Sequence, residues 1–393
     1  MIVTVQAPAA AALLRGHPWV FREGVRSIRG QGKTGEVAQL VDPKGAPLGW
    51  GLYDAESAIA ARAFGAGTST KLAKLDERRL VELVGAAVER RRGIYDPSHT
   101  TALRLCHGDG DRVPGLVLDR YEHVVVAKTD GAAIATWIDR VAPGLEALLA
   151  PLGVSTLVLR IDAAEGAPKI RGLWGPSAPA TIDVLEHGMR FEVDLAHGQK
   201  TGAFLDQREN RRRVRALAAD KPRVLNLFSY AGGFSLAAAL GGAREVTSVD
   251  SAARAHASAQ RSFKKNGLSL EGHRFVTADA FVFLESAKKR GERFDLVISD
   301  PPSFAPNERS KRRALSAYAR LHRACVDVLA EGGTFCAASC SSHVTMEELL
   351  GTLDDVALGR GDLSVVETFG PPPDHPTLAC FPEGRYLKLA IMR

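Results

Sequence analysis

The sequence predicts an α/β protein. Its second half is an open, doubly wound parallel sheet, preceded by a small α+β region and an N-terminal β-rich module. Strand-like runs at 224–228, 246–250, 275–279, 296–300 and 335–339 alternate with helical stretches near 235–240, 252–266, 280–290, 314–330 and 345–357. Strand-helix alternation of this kind builds parallel sheets. Residues 1–70 instead carry short strands at 2–5, 35–41, 47–52 and 58–64, with Gly and Pro between them. At 393 residues the chain outgrows a single core of about 250–300 residues. Boundaries are expected at 1–70, 71–180 and 181–393.

After the first module the pattern turns helical from 71 to 92, with Leu72, Leu75, Leu80, Leu83 and Val84 spaced for one buried face. Residues 104–118 and 123–128 read as strands around the Gly108-Asp109-Gly110-Asp111 turn, 137–149 as a helix and 156–161 as a strand. The Gly- and Pro-rich stretch 166–179 reads as a linker. Strands at 365–369 and 387–392 complete the last sheet, the final one antiparallel.

Hydrophobic content of 45% and charged content of 24% are ordinary for a soluble globular chain. No run approaches the roughly 18 apolar residues of a membrane span. The Ala-rich start lacks a basic leader region and contains Pro8. Five cysteines without regular spacing argue against a disulfide framework and for a reducing compartment. A cytoplasmic protein without a membrane partner is expected. No His/Cys cluster has zinc spacing, so no metal is expected. The net charge of +6 and pI near 9.1 favour a polyanionic partner where the charge clusters.

The first expected parallel strand runs into Phe228-Ser229-Tyr230-Ala231-Gly232-Gly233 and then a helix. Glycines there let a ligand approach the backbone and the helix N-terminus, although Gly-Gly after a strand also permits tight packing. The next strand ends in Asp250-Ser251, placed to accept hydrogen bonds from ribose hydroxyls, and a third in Asp279-Ala280, within reach of an adenine edge. Three such strand ends describe a nucleoside-containing cofactor, with Phe228, Ser229, Tyr230, Gly232, Asp250, Ser251, Asp279 and Ala280 around it. A second glycine pattern, Gly30-Gln31-Gly32-Lys33-Thr34-Gly35, precedes a strand and lacks the P-loop glycine, so it reads as a hairpin turn.

Two more strand ends carry the chemistry. Asp300-Pro301-Pro302-Ser303-Phe304 presents an acceptor on a backbone stiffened by two prolines, suited to a flat nitrogen-bearing ring. Ser339-Cys340-Ser341 places a thiol at the end of the next strand. Together they point to methyl transfer to a base. Cys325 and Cys336 lie within a helix and a strand and read as small buried hydrophobes, whereas Cys106 and Cys380 have no supporting motif.

Six segments fall in the order of one known family: His197-Gly198-Gln199-Lys200-Thr201-Gly202, Leu205-Asp206-Gln207-Arg208, Asn226-Leu227-Phe228-Ser229-Tyr230, the Asp300-Pro301-Pro302 and Ser339-Cys340-Ser341 segments, and Pro382-Glu383-Gly384-Arg385-Tyr386-Leu387-Lys388. Over nearly its whole length the chain resembles the RlmI-type bacterial 23S rRNA cytosine-5 methyltransferases. Arg15-Gly16-His17-Pro18-Trp19-Val20-Phe21 and the strands around it resemble that family's PUA domain, a small RNA-binding barrel. The resemblance implies a Rossmann-like class I methyltransferase domain, S-adenosylmethionine as cofactor and 23S rRNA as substrate. It makes Asp250 the ribose acid, Asp279 the adenine-side acid, Cys340 the nucleophile and Asp300 its partner, bordering the cofactor too. Asp206, Gln207 and Arg208 would lie near the methionine end. Ser303 stands where two-cysteine relatives carry a second cysteine, which leaves the base for the C5 proton unassigned. A homodimer is allowed.

Basic residues after the Asp-Pro-Pro turn, Arg309, Lys311, Arg312 and Arg313, are candidates for phosphate contact. Arg211, Arg212, Arg213 and Arg215 are equally well solvated surface. Two other readings stay open. One is an RNA methyltransferase acting on a purine nitrogen, which needs no thiol. The other is a non-catalytic RNA-binding assembly factor. Cys340 speaks against the first, and the acids with Cys340 against the second.

Overall fold

A computed structural model describes residues 1–64, 74–162, 168–305 and 307–393. The chain divides into two compact units. One comprises Met1–Ile182, Asp194–Ala203 and Pro373–Gly384, the other Asp183–Val193, Phe204–Pro372 and Arg385–Arg393.

The first unit opens with β1 (Ile2–Val5), α1 (Ala7–Leu14), β2 (Trp19–Phe21), β3 (Val25–Arg29), β4 (Val37–Val41), β5 (Pro47–Tyr53) and β6 (Ile59–Phe64). They form a six-stranded sheet in the order β2-β6-β5-β4-β1-β3. Val3, Val5, Leu13, Val20 and Leu40 are wholly buried in its core. Sequence reading found four of these strands and missed α1, β2 and β3. Pro8 sits in the first turn of α1, where its missing N–H costs nothing. β2 has three residues, and four of the five in β3 are exposed, so neither shows an alternating pattern. The 30–35 glycine turn links β3 to β4, which lie on either side of β1. It is therefore a turn between non-neighbouring strands rather than a hairpin.

Next come α2 (Glu77–Glu89), β7 (Ala102–His107), β8 (Leu116–Tyr121), β9 (Val124–Thr129), α3 (Ala132–Ala135), α4 (Ile138–Leu149), β10 (Thr156–Ile161) and β11 (Lys169–Trp174). Asp76 caps α2 by accepting from Arg79 N at 2.8 Å, and Leu80, Val84 and Ala87 form its buried face. The expected helical residues 71–73, with Leu72, lie outside the described residues. The second sheet has the order β11-β10-β9-β8-β7. The expected linker is corrected here: β11 lies inside 166–179 and pairs antiparallel with β10, Leu159 opposite Arg171. Its flanking Gly and Pro and exposed positions hid a short edge strand, while 166 and 167 lie outside the described residues.

Two buried ion pairs organise this unit. Arg91 grips both carboxylate oxygens of Asp111 at 2.7 and 2.6 Å, and Arg104 grips Asp119 at 2.8 Å twice. Asp374, from the segment near the C-terminus, accepts from Arg104 N at 3.0 Å, and its carbonyl accepts from Arg91 at 2.7 Å. Bidentate geometry of this kind fixes direction as well as distance.

A hairpin of β12 (Thr181–Glu186) and β13 (Met189–Asp194) turns at His187-Gly188, both with positive φ, as a two-residue hairpin turn requires. The second unit continues with α5 (Arg208–Leu217), β14 (Arg223–Leu227), α6 (Gly233–Gly241), β15 (Glu245–Asp250), α7 (Ala253–Lys265), β16 (Arg274–Thr277), α8 (Ala280–Lys289), β17 (Phe294–Ser299), α9 (Lys311–Asp327), β18 (Leu329–Ser339), α10 (Met346–Arg360), β19 (Val365–Phe369) and β20 (Lys388–Met392). Their sheet runs β16-β15-β14-β17-β18-β20-β19. β14 to β18 are parallel, and β20 is antiparallel to both neighbours. The order reverses between β14 and β17, and such switch points are where open sheets hold ligands. This is the Rossmann-like arrangement the sequence predicts.

Candidate active site

β14 ends at Leu227, and the chain then takes three left-handed residues in a short span: Phe228 (φ 55), Tyr230 (φ 45) and Gly232 (φ 76). Two of the three carry a Cβ, and strain of this kind persists only where the surroundings over-determine it. Ser229 N donates to Val249 O at 3.0 Å and Gly232 N to Ser229 O at 2.8 Å. A Cβ on Gly232 would sit 2.6 Å from that of Ala259, so tight packing is itself a sufficient reason for this glycine. The N-terminus of α6 has no side-chain cap.

Asp250 closes β15 and is half-buried. One carboxylate oxygen accepts from Tyr230 N at 2.8 Å, the other from Ala252 N at 2.8 Å. It therefore shapes the turn after β14 as well as its own. Ser251 is exposed. Asp279 is not at a strand end, because β16 stops at Thr277. It is the N-cap of α8 and accepts from Phe281 N at 2.9 Å and Val282 N at 3.1 Å. Ala280 behind it is buried.

Asp206, Gln207 and Arg208 are buried in the turn entering α5. Tyr386 Oη donates to Asp206 at 2.7 Å. Gln207 Nε2 donates to Asp300 at 2.8 Å, and Asn210 Nδ2 donates to Gln207 Oε1 at 2.6 Å. That relay orients the Gln207 amide and, through it, the Asp300 carboxylate just past β17.

Cys340 follows β18 and is half-buried, with Sγ 3.8 Å from the Pro301 carbonyl. β17 and β18 are adjacent and parallel, so their ends bring Asp300-Pro301 beside Cys340. Behind the thiol, Tyr318 Oη contacts the Ser339 and Ser341 hydroxyls at 2.9 and 3.0 Å, and Ser303 Oγ lies 3.1 Å from Ser341 Oγ. Burial pushes up the Tyr318 pKa, and the nearby charges of Cys340 and Asp300 add to it. Lys388 Nζ donates to the Ser341 carbonyl at 2.6 Å and to that of Val344. The other cysteines differ. Cys106 and Cys336 are fully buried with thiols pushed up to about 12, and Cys325 is pushed up as well, burial being the first cause in each.

Asn210, Tyr318, Tyr386 and Lys388 escaped sequence reasoning. Tyr386 and Lys388 stood in a recognised segment without a role. Of that family pattern, Thr201 lies in the first unit, where its hydroxyl donates to Asp119 at 2.5 Å.

The basic candidates separate. Lys311 is paired with Glu348 at 2.7 Å and with Glu308 at 3.7 Å. Arg309, Arg312 and Arg313 are exposed. Arg312 and Arg313 share an open depression with Arg320, whose guanidinium stacks over Phe281 at 4.8 Å. Around α5 the picture is structural. Arg211 is buried against Glu186 with both contacts at 2.6 Å, and Arg213 stacks on Phe369 at 3.5 Å. Among the described residues no helix is long and apolar enough to cross a membrane.

The chain matches the S-adenosylmethionine-dependent methyltransferase family over residues 167–387 and the PUA-like domain family over residues 3–65. A ribosomal RNA large subunit methyltransferase of Deinococcus radiodurans is 38% identical over 391 residues, covering 96% of this chain and 93% of that protein. Ribosomal RNA large subunit methyltransferase I of Klebsiella pneumoniae is 34% identical over 383 residues, covering 96% and 94%. A solved methyltransferase complexed with SAH superposes with a TM-score of 0.87 at 26% identity, over 100% of this chain and 99% of that one.

Proposed function

The chain belongs to the S-adenosylmethionine-dependent methyltransferases, and from that membership we propose that it forms 5-methylcytosine in large-subunit (23S) ribosomal RNA. The half-buried Cys340 beside Asp300-Pro301 carries the reading. Methylating a nitrogen lone pair needs no thiol, whereas C5 of a pyrimidine is too poor a nucleophile without one.

S-adenosylmethionine is the cofactor, and it supplies an electrophilic methyl group. The residues at the switch point fit it. Ser229 Oγ is buried without a hydrogen-bond partner among the described residues, beside an uncapped helix N-terminus. Phe228, Ser229, Tyr230 and Gly232 form the turn under the nucleoside. Asp250 and Ser251 take the ribose, Asp279 and Ala280 the adenine side, and Asp206 and Arg208 the methionine end.

In the reaction the Cys340 thiolate adds to C6, and the C5–C6 π electrons shift toward N3 and the exocyclic oxygen. Asp300, one oxygen held by Gln207, donates its carboxyl proton in a hydrogen bond to N3 and so offsets that charge. C5 then takes the methyl group as the methyl–sulfur bond breaks. Loss of the C5 proton to a base re-forms the double bond and expels Cys340, so one hard step becomes several easier ones.

Arg309, Arg312, Arg313 and Arg320 contact RNA phosphates, giving affinity without base choice. The target base is turned out of its stack to reach the pocket. A ribosomal RNA substrate places the activity in the cytoplasm.

RNA carrying 5-fluorocytosine at the target tests this reading, because fluorine cannot leave as a proton does. Wild type should form a stable protein–RNA adduct mapping to Cys340. The Cys340→Ala variant should form none and lose methylation while keeping S-adenosylmethionine binding. Normal methylation by Cys340→Ala would end the covalent reading and favour a nitrogen target.

A further inference from the structure

Lys388 opens β20, opposite Ser339, the last residue of β18. It is 3% exposed, and lysine is almost never buried to that extent unless paired. Its ammonium is spent on two backbone carbonyls, those of Ser341 at 2.6 Å and of Val344. Both belong to the segment that leaves the Cys340 strand end. A neutral side chain of similar length would fill the space without the desolvation cost of a charge.

The geometry points to Lys388 as a positioning residue for Cys340: its ammonium favours the thiolate, and its two hydrogen bonds hold the segment on which the thiol stands. This deepens the proposed reading and rests on Cys340 being the nucleophile. The electrostatics agree with the placement. Burial pulls the Lys388 pKa down to about 8, and the charges of Cys340 and Glu348 oppose that pull. Coupling between two sites is reciprocal, so a thiolate that favours the ammonium is favoured by it.

Other charged and titratable groups near this strand end include Asp300 after β17 and Tyr318 from α9, with Glu348 of α10 acting on Lys388. Asp300 opposes the thiolate only when ionised, and not in the proton-donating form the reaction uses. Tyr318 is engaged by the Ser339 and Ser341 hydroxyls at 2.9 and 3.0 Å. Lys388 contributes a cation to this set, bonded to the carbonyl of Ser341, the residue after Cys340.

Alkylation of the full-length protein by iodoacetamide, without cofactor or RNA, reads the thiol directly. Rates would be followed by peptide mass mapping from about pH 5 to about pH 10, the range that brackets thiol ionisation. Cys380, also half-buried, serves as internal reference. In wild type the midpoint for Cys340 should lie about one pH unit or more below that for Cys380. Lys388→Met should raise it by a similar amount, and Lys388→Arg should leave it low. Equal midpoints for the two cysteines in wild type, or an unchanged one in Lys388→Met, overturn the proposal. If Lys388→Met does not fold, the wild-type comparison and the Lys388→Arg profile still decide it. A shifted midpoint together with no fluorocytosine adduct would uphold the action of Lys388 and refute the covalent reading.

Discussion

Gln207 holds Asp300 through a 2.8 Å hydrogen bond from its side-chain amide. The donor comes from the turn before α5 and the acceptor from the end of β17, 93 residues later. Both ends of the Gln207 amide are engaged, since its carbonyl oxygen accepts from Asn210 at 2.6 Å. Sequence reading put Gln207 among the cofactor contacts, and the structure ties it to Asp300, the carboxyl group that the proposed reaction sets against the base. Hydrogen bonds to charged groups contribute about 1.5–3 kcal/mol. Gln207→Ala should therefore slow single-turnover methylation by roughly 10- to 100-fold, with a smaller effect on cofactor affinity. A larger loss of affinity than of rate would return Gln207 to the methionine pocket.

Asp250 and Asp279 make different predictions because their carboxylates do different structural work. Asp250 holds two backbone amides, at Tyr230 and Ala252. Asp250→Ala should weaken S-adenosylmethionine binding by an amount on the order of 1–3 kcal/mol, read by calorimetry. Asp250→Asn, which keeps one acceptor oxygen, should lose less.

Asp279 caps α8, and removing such a cap costs about 1 kcal/mol. Asp279→Ala should lower both thermal stability and cofactor affinity. Asp279→Ser keeps a capping oxygen, so its stability should recover while the affinity loss remains. If affinity recovers as well, Asp279 is a cap and nothing more.

The parallel strands of the second unit were legible because burial on both faces leaves continuous aliphatic runs, such as Leu296 to Ile298, all fully buried. Asp300 and Cys340 stood out for a related reason: each follows such a run after a single serine, Ser299 or Ser339. β2, β3 and β11 were not legible, since short or exposed strands have no inward face to alternate. The supporting residues were hidden by distance along the chain. Tyr386 reaches Asp206 across 180 positions, and Lys388 reaches Ser341 across 47. No local pattern encodes such pairings; only the antiparallel return of β20 creates them.

The arginine surface should show in the salt dependence of RNA binding. Replacing Arg312, Arg313 and Arg320 by Gln together should lower the slope of log affinity against log salt by about 0.7–0.9 for each phosphate left without its arginine. Cofactor affinity should not change. Lys311→Gln should leave the slope alone, because Glu348 already occupies that ammonium at 2.7 Å and raises its pKa. A slope that falls with Lys311 but not with the arginines would reverse the assignment.

His322 sets a pH limit on stability. It lies on α9 with no exposed surface. Its Nδ1 is 3.1 Å from Thr352 Oγ1, and Nε2 has no hydrogen-bond partner among the described residues. Burial pushes its pKa down to about 4, against about 6.5 in an unfolded chain. Between those values the unfolded state binds more protons than the folded one, so stability falls as pH falls. The stability contributed by the neutral ring is intact above about pH 6.5 and is lost progressively toward about pH 4, a total on the order of 3 kcal/mol. His322→Gln has no proton to take up and can still meet Thr352. Its stability relative to wild type should therefore improve as the pH is lowered from about 7 to about 4.5. Urea unfolding at several pH values, followed by a probe in the second unit, measures the difference. Parallel curves for the two proteins would mean that the buried ring takes up its proton as readily as an exposed one.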